Sequence, residues 1–100
     1  MIGHLKGILI EKKPSHVVLD VNGVGYLVTI PVSTFYDLPE EGSALSLFTY
    51  THVREDVLAL YGFRTMREKR LFEKLIGVSG IGPKMAVNLL SGLSASALVA

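Results

Sequence analysis

The sequence predicts an α+β fold in which a small β-barrel is followed by helices. Two observations support this prediction. Residues 1–63 contain short runs rich in β-branched and aromatic side chains, separated by turn-forming residues. Residues 64–100 instead contain helix-capping residues and apolar side chains at helical spacing. We therefore expect the 100 residues to divide into a barrel at 1–63 and a helical segment at 64–100.

Five strand-like runs occupy the first segment, at residues 8–10, 17–19, 26–30, 45–53 and 57–63. Asn22 and Gly23 separate the second run from the third and predict a tight hairpin, because both residue types tolerate a positive φ. A short helical turn is expected at residues 33–38. Five such strands are too few for a large sandwich, whereas closure hides the strand edges, so we predict an OB-fold barrel.

A helix is predicted to begin after Thr65, which forms a capping box with Glu68. Its apolar side chains lie on one face, at Leu71, Phe72, Leu75 and Ile76. Its basic side chains lie largely elsewhere, at Arg67, Arg70 and Lys74. Gly77 is expected to end the helix in a left-handed conformation.

A second helix is predicted with Pro83 in its first turn. We expect it to pack on the first helix through Val87, Leu89 and Leu90, and to end at Gly92. Ser94 is then expected to cap a third helix. The chain stops within apolar residues of this third helix, from which we expect it to be part of a longer protein.

Composition excludes several classes of protein. With 49% hydrophobic residues and a mean hydropathy of +0.43, the chain is not intrinsically disordered. No run approaches the ~18 apolar residues of a membrane span, and we expect no secretory signal. Cysteine is absent, which excludes disulfides, thiolate metal sites and cysteine nucleophiles and favours a reducing compartment.

The net charge of +1 is a cancellation between the two segments. Four basic and seven acidic residues give residues 1–63 a net charge of −3. Six basic and two acidic residues give residues 64–100 a net charge of +4. A polyanionic partner is therefore expected to bind the helical segment rather than the barrel.

The segment between the two predicted helices has the pattern of a helix-hairpin-helix motif. Gly80 and Gly82 permit a tight turn that leaves backbone N–H groups uncovered at the start of the second helix, where the helix dipole favours an anion. Ile81 can anchor the loop in the core, and Lys84 adds a positive charge. We expect a sequence-independent contact with the DNA backbone, made by Val78, Ser79, Gly80, Ile81, Gly82 and Lys84. The alternative is a plain corner between helices, in which the glycines serve only as caps.

One such hairpin binds weakly. Neutralising one or two phosphates gives a salt slope of only about −1 to −2. Useful affinity then requires several copies held rigidly together, through a second motif or through oligomerisation, and we expect an oligomer.

Glu55 and Asp56 are expected at the tip of a hairpin between the fourth and fifth strands. From composition alone, a solvated polar turn is the simplest interpretation. Adjacent residues of a strand point to opposite faces, so the two carboxylates are a poor acid–base pair.

The sequence predicts no catalytic residue, no metal site and no cofactor. His4, His16 and His52 lack metal-ligand spacing, and no phosphate-binding loop or nucleophile motif is present. Four aromatic residues could stack on single-stranded bases if the barrel bound them, namely Tyr26, Tyr36, Phe48 and Tyr50. Packing is the preferred role for most of them, because the acidic barrel would repel phosphates.

Taken in order, several segments closely resemble the RuvA family, the Holliday-junction-binding subunits of the bacterial RuvAB branch-migration complex. They are MIGHLKG at 1–7, GVGY at 23–26, FYDLP at 35–39, VRED at 53–56, LYGF at 60–63 and GIGPK at 80–84. The resemblance covers the whole chain and corresponds to about the first half of a family member.

This resemblance implies that the barrel assembles a homotetramer, or an octamer on DNA, with Glu55 and Asp56 forming an acidic pin at its centre. It implies that the tetramer binds four-way junctions without sequence specificity and holds them in an open square in the bacterial cytoplasm, at the nucleoid. Branch migration in recombination and repair of DNA damage, within the SOS response, would then be driven by the ATPase RuvB. The RuvC resolvase is a further expected partner. The chain itself is expected to be no enzyme.

Two departures and two rival functions remain. The family's second hairpin and its RuvB-binding domain would lie beyond Ala100, and His4 stands where the family often has Arg. The first rival is an OB-fold module for single-stranded nucleic acid. The second is a hairpin-motif glycosylase or nuclease, which is disfavoured because no Asp or Lys follows Lys84.

Overall fold

Five strands close into a barrel in the order β1-β2-β3-β5-β4 in the computed structural model, which describes residues 1–99 and the side chains of residues 1–92. The strands are β1 (His4–Lys12), β2 (His16–Val21), β3 (Val24–Thr29), β4 (Ala44–Arg54) and β5 (Val57–Phe63). The helices are α1 (Val32–Tyr36), α2 (Met66–Ile76) and α3 (Pro83–Val99). All strand pairs are antiparallel except β3 with β5. This topology confirms the α+β class and the OB-fold barrel.

The barrel interior is filled by alternate residues of its strands, as the pleat requires. Leu9, Leu19, Val28 and Leu47 are completely buried there, and Ile30, which follows β3 directly, is 1% exposed. Gly62 allows the parallel contact that closes the barrel, because a Cβ at this position would lie 2.6 Å from Cγ1 of Val28 on β3.

Local turn signals act as predicted in the barrel. Asn22 and Gly23 both have a positive φ, at 52° and 91°, and the Gly23 N–H donates to Oδ1 of Asp20 at 2.8 Å. The short helical turn is α1. The predicted hairpin between β2 and β3 is thus confirmed.

The first strand begins earlier than its apolar run indicates. Lys6 and Gly7 pair with Ser46 and Leu45 of β4, so the strand extends back to His4. Before it, the backbone of Ile2 accepts hydrogen bonds from the buried hydroxyls of Thr49 (2.6 Å) and Thr51 (3.1 Å). These polar groups are satisfied inside the structure, and the N-terminal segment is fixed to β4.

Helices α2 and α3 pack on the outside of the barrel around Phe72. This side chain is 0% exposed, and its ring centroid lies 5.0–5.3 Å from the rings of Tyr50, Tyr61 and Phe63. Ala86, Val87 and Leu90 of α3 complete this second core. Leu89, which was expected to pack there, is 40% exposed instead.

The helix ends differ from two predictions. Gly77 caps α2 with φ −76°, so it is not left-handed. Gly92 does not end the second helix, because α3 continues to Val99, and Ser94 therefore lies within a helix rather than at a cap. An interior glycine costs only about 1 kcal/mol relative to alanine, which packing elsewhere along a helix can offset. None of the helices in residues 1–99 has the length and hydropathy to cross a membrane.

Candidate nucleic-acid interface

The loop between α2 and α3 contains a compact turn that requires a positive φ at one of its glycines. The N–H of Ile81 donates to the carbonyl of Val78 at 3.1 Å, which closes a four-residue turn. Gly80 is its third residue and has φ +87°, the sign that type II turns require there and that favours glycine. Gly82 does not share this conformation, although the sequence treats the two glycines alike.

Gly82 marks the start of α3. Its carbonyl accepts the N–H of Ala86 at 3.0 Å, the first hydrogen bond of the helix, so Pro83 is the first helical residue. The N–H groups of Lys84 and Met85 then have no acceptor within the helix, as at every helix N-terminus. The helix dipole adds a partial positive charge at the same end.

The outer side of the loop is open. Val78, Ser79, Gly80, Gly82 and Lys84 are exposed. A Cβ built on Gly80 or Gly82 would meet nothing within 4 Å. An anion could therefore approach the backbone closely.

Ile81 points the other way. It packs against the cluster that contains Phe72 and Leu90, as expected of the loop's anchor. The structure thus brings together the six residues predicted from the hairpin motif, with Ile81 partly buried and the other five at the surface.

A hydrogen bond that the sequence did not reveal ties α3 to the barrel. Oγ of Ser91 accepts the N–H of Val32 at 3.1 Å and donates to the carbonyl of Val87 at 3.1 Å. Val32 is the first residue of α1, and Pro31 before it provides no side-chain cap. Ser91 therefore supplies that cap from a distant helix, and with Phe72 it fixes the hairpin relative to the barrel.

Glu55 and Asp56 form the two-residue loop of the hairpin between β4 and β5, since Arg54 pairs with Val57. Both side chains are exposed, as are all residues from 53 to 58. Nε of Arg54 donates to Nε2 of His52 at 3.4 Å, which directs this guanidinium back along its strand. The predicted placement at a hairpin tip is confirmed.

The aromatic residues do not form an exposed row for base stacking. Tyr50 packs on Phe72, Tyr26 packs against the barrel core, and Phe48 makes an edge contact with His4 at 5.5 Å. Tyr36 is 78% exposed, but its aromatic neighbour on α1 is Phe35, 5.4 Å away between ring centroids, which packs against the barrel core. This arrangement gives no support to single-strand binding on the barrel.

The part of the chain that the structure describes contains no cluster of metal-ligating side chains. No group of three or more His, Asp or Glu side chains there could hold a metal ion.

The hairpin loop is suited to binding an anion through its backbone N–H groups, and the acidic tip at Glu55 and Asp56 is suited to repelling one.

Two family models match this chain. The RuvA N terminal domain matches residues 1–62, which is the barrel. The chain belongs to the RuvA family. A second model, the SAM-like helix-hairpin-helix tandem, matches residues 72–100 and thus covers the loop just described.

Individual members of the RuvA family agree with this assignment. The chain is 62% identical over 99 residues to a protein of Solibacter usitatus and 57% identical over 94 residues to one of Syntrophobacter fumaroxidans. It is 55% identical over 100 residues to one of Geobacter sulfurreducens. All three are named Holliday junction branch migration complex subunit RuvA. The matches cover 94–100% of this chain and 48–50% of each relative, so the chain spans about half the length of the curated relatives it matches.

Proposed function

We propose that this chain binds four-way DNA junctions without sequence specificity, as a tetramer that holds the junction in an open square. The observation that carries the proposal is the combination of an open, anion-binding hairpin loop and an exposed acidic tip on one barrel, in a member of the RuvA family. We assign assembly and the pin to residues 1–63 and DNA contact to residues 64–100.

The hairpin loop supplies the attraction. Its free N–H groups, the dipole of α3 and the ammonium group of Lys84 all favour a phosphate. None of these groups reads a base edge, so binding is independent of sequence. Only one such loop is present in the residues that the structure describes, and it neutralises one or two phosphates.

Assembly supplies the affinity. Several large apolar side chains on the outer surface of the barrel are exposed, including Ile10, Val24, Leu27 and Leu58. A surface of this kind favours contact with other subunits. Four copies would hold four duplex arms by their backbones and raise the weak affinity of one loop through effective concentration.

The acidic tips supply the selectivity. A four-fold assembly with the tips at its centre presents eight carboxylates to the crossover. Two like charges at 4 Å repel by about 1 kcal/mol even in water. The tips therefore disfavour a continuous duplex across the centre and keep separated strands free to pair again.

The chain carries out no chemistry in this proposal. ATP hydrolysis belongs to RuvB, which drives branch migration, and RuvC is a further partner. In the longer family members, RuvB would be bound by the half of the protein that does not align with this chain. The setting is recombination and DNA repair at the bacterial nucleoid.

Two measurements test the proposal. Light scattering should give the mass of a tetramer, whereas a monomer would remove the geometry of the pin. Fluorescence anisotropy at one salt concentration should show tighter binding to a four-way junction than to single strands or linear duplex of the same length. Tighter binding to single strands would favour the OB-fold single-strand module instead.

A further inference from the structure

The outward face of α2 carries a stripe of three basic residues, Arg67, Arg70 and Lys74. Arg67 lies five residues before Phe72, Arg70 lies two residues before it, and Lys74 lies two residues after it. At about 100° per residue, all three fall within an arc of roughly 60° on the side of the helix opposite Phe72. Phe72 is buried against the barrel, and each of the three is exposed, so the stripe faces away from the protein.

Other charged residues of α2 lie outside this stripe. Glu68 faces the N-terminal cap, where its Oε1 accepts a hydrogen bond from Oγ1 of Thr65 at 3.1 Å. Nζ of Lys69 lies beside the N-terminal segment, 3.8 Å from where a Cβ on Gly3 would be. Glu73 is at the edge, about 60° around the helix from Arg70. The arc itself contains no carboxylate.

The stripe is unfavourable for the isolated helix. Arg67 and Arg70 are spaced i,i+3, and Arg70 and Lys74 are spaced i,i+4, so their like charges are neighbours on the helix surface. Such pairs destabilise a helix unless an anion lies over them. A polyanion that covers the stripe would turn this repulsion into attraction.

The length of the stripe matches a nucleic-acid backbone. Lys74 lies seven residues after Arg67, so the stripe spans about 10 Å at 1.5 Å per residue. One strand of a duplex carries about three phosphates over the same axial length, at about 3.4 Å each. With α2 lying along the duplex axis, the three cations cover the same axial length as about three phosphates of one strand.

The stripe is continuous with the hairpin loop. Lys74 lies in the last turn of α2, and its carbonyl accepts the N–H of Gly77 at 3.2 Å. The exposed loop from Val78 to Gly82 follows directly, with Lys84 just beyond it.

We propose that the outward face of α2 is a second contact surface for the phosphodiester backbone of DNA, which continues from the hairpin loop along the same duplex arm. This inference rests on the proposed junction binding and deepens it. It assigns Arg67, Arg70 and Lys74 a role in holding the arm, additional to that of the loop. The contact is electrostatic and adds no sequence preference.

A pair of charge-matched variants of the full chain tests the proposal. One variant carries Arg70→Gln and Lys74→Gln on the stripe. The control carries Lys6→Gln and Lys13→Gln, which remove the same charge from exposed sites on the barrel. Glutamine retains helix propensity, and circular dichroism checks that both variants keep the helix content of the unaltered chain.

The measurement is the affinity for a fluorescent four-way junction by anisotropy, at salt concentrations from 50 to 200 mM. We expect the salt slope of the stripe variant to fall by about 2 for each chain in contact with DNA, since each phosphate contributes about 0.9. The control should keep the slope of the unaltered chain.

The remaining outcomes separate this inference from the proposed function. An equal decrease of the salt slope in both variants would show an effect of net charge alone. An unchanged salt slope in the stripe variant would show that the outward face of α2 does not contact DNA. Either result overturns the inference while junction binding by the unaltered chain stands. If the unaltered chain bound no junction, both proposals would fail together.

Discussion

Replacing each glycine of the hairpin loop by alanine, one at a time, separates the contribution of the loop to stability from its contribution to DNA binding. Gly80 has φ +87°, where an alanine is strained by about 1–2 kcal/mol. For a domain of this size, 1 kcal/mol shifts Tm by about 4–8 °C, so Gly80→Ala should lower Tm by about 4–16 °C. Thermal unfolding followed by circular dichroism measures this shift.

Gly82→Ala should behave in the opposite way. Gly82 has no positive φ, and its added Cβ would meet nothing within 4 Å, so the cost should stay below about 1 kcal/mol. In the proposed function, the same Cβ occupies the space through which a phosphate approaches the loop. Losing one hydrogen bond to a charged group costs about 1.5–3 kcal/mol, which predicts affinity about 10–100-fold weaker for each loop in contact with DNA.

Gly77→Ala is the matched control for both variants. Gly77 has φ −76°, and a Cβ there would lie 3.4 Å from the carbonyl oxygen of Lys74, so neither stability nor DNA binding should change much. Equal destabilisation by Gly80→Ala and Gly82→Ala would refute the reasoning on loop conformation. Unchanged junction affinity in Gly82→Ala would refute the reasoning on phosphate approach.

Four further variants test the cores, the cap and the acidic tip. Phe72→Ala should lower the free energy of unfolding in guanidinium by about 3–5 kcal/mol, whereas the exposed control Tyr36→Ala should change it by less than about 0.5 kcal/mol. Ser91→Ala removes the cap on Val32 and should cost about 1 kcal/mol in the same assay. Glu55→Gln with Asp56→Asn should leave junction binding intact and raise affinity for linear duplex by anisotropy; weaker junction binding would contradict the pin. Burial raises the pKa of Tyr61 above 10.0, so stability present below pH 10 should be lost as the pH rises further, and Tyr61→Phe should abolish that loss in unfolding titrations.

The features that could be predicted from the sequence are those that local chemistry determines. Asn22 and Gly23 form their hairpin because both tolerate positive φ, and Thr65 caps α2 because its hydroxyl reaches the N–H of Glu68. The tip at Glu55 and Asp56 follows from polar residues between two apolar runs. Each of these signals lies within a few residues of its effect.

The features that could not be predicted depend on residues far apart in the chain. The strand that begins at His4 exists because it pairs with Phe48 of β4, which no local pattern reveals. Ser91 caps a helix 59 residues away. The helix continues through Gly92, although the local pattern indicates an end there. The different roles of Gly80 and Gly82 depend on the turn between Val78 and Ile81, since composition alone makes the two glycines equivalent.

The packing of Phe72 holds the basic helical segment in a fixed position relative to the acidic barrel. A chain with net charges of −3 and +4 on two freely moving halves would attract any DNA to the basic half and let the acidic half turn away. Here Phe72 and Ser91 fix the hairpin to the barrel that carries the acidic tip. In the proposed tetramer, attraction and repulsion then act at set distances from the four-fold axis, so only DNA that is open at the centre satisfies both. Loosening the helices with Phe72→Ala should therefore reduce the preference for junctions over linear duplex more than Gly82→Ala does, because the latter weakens the grip on both DNAs equally.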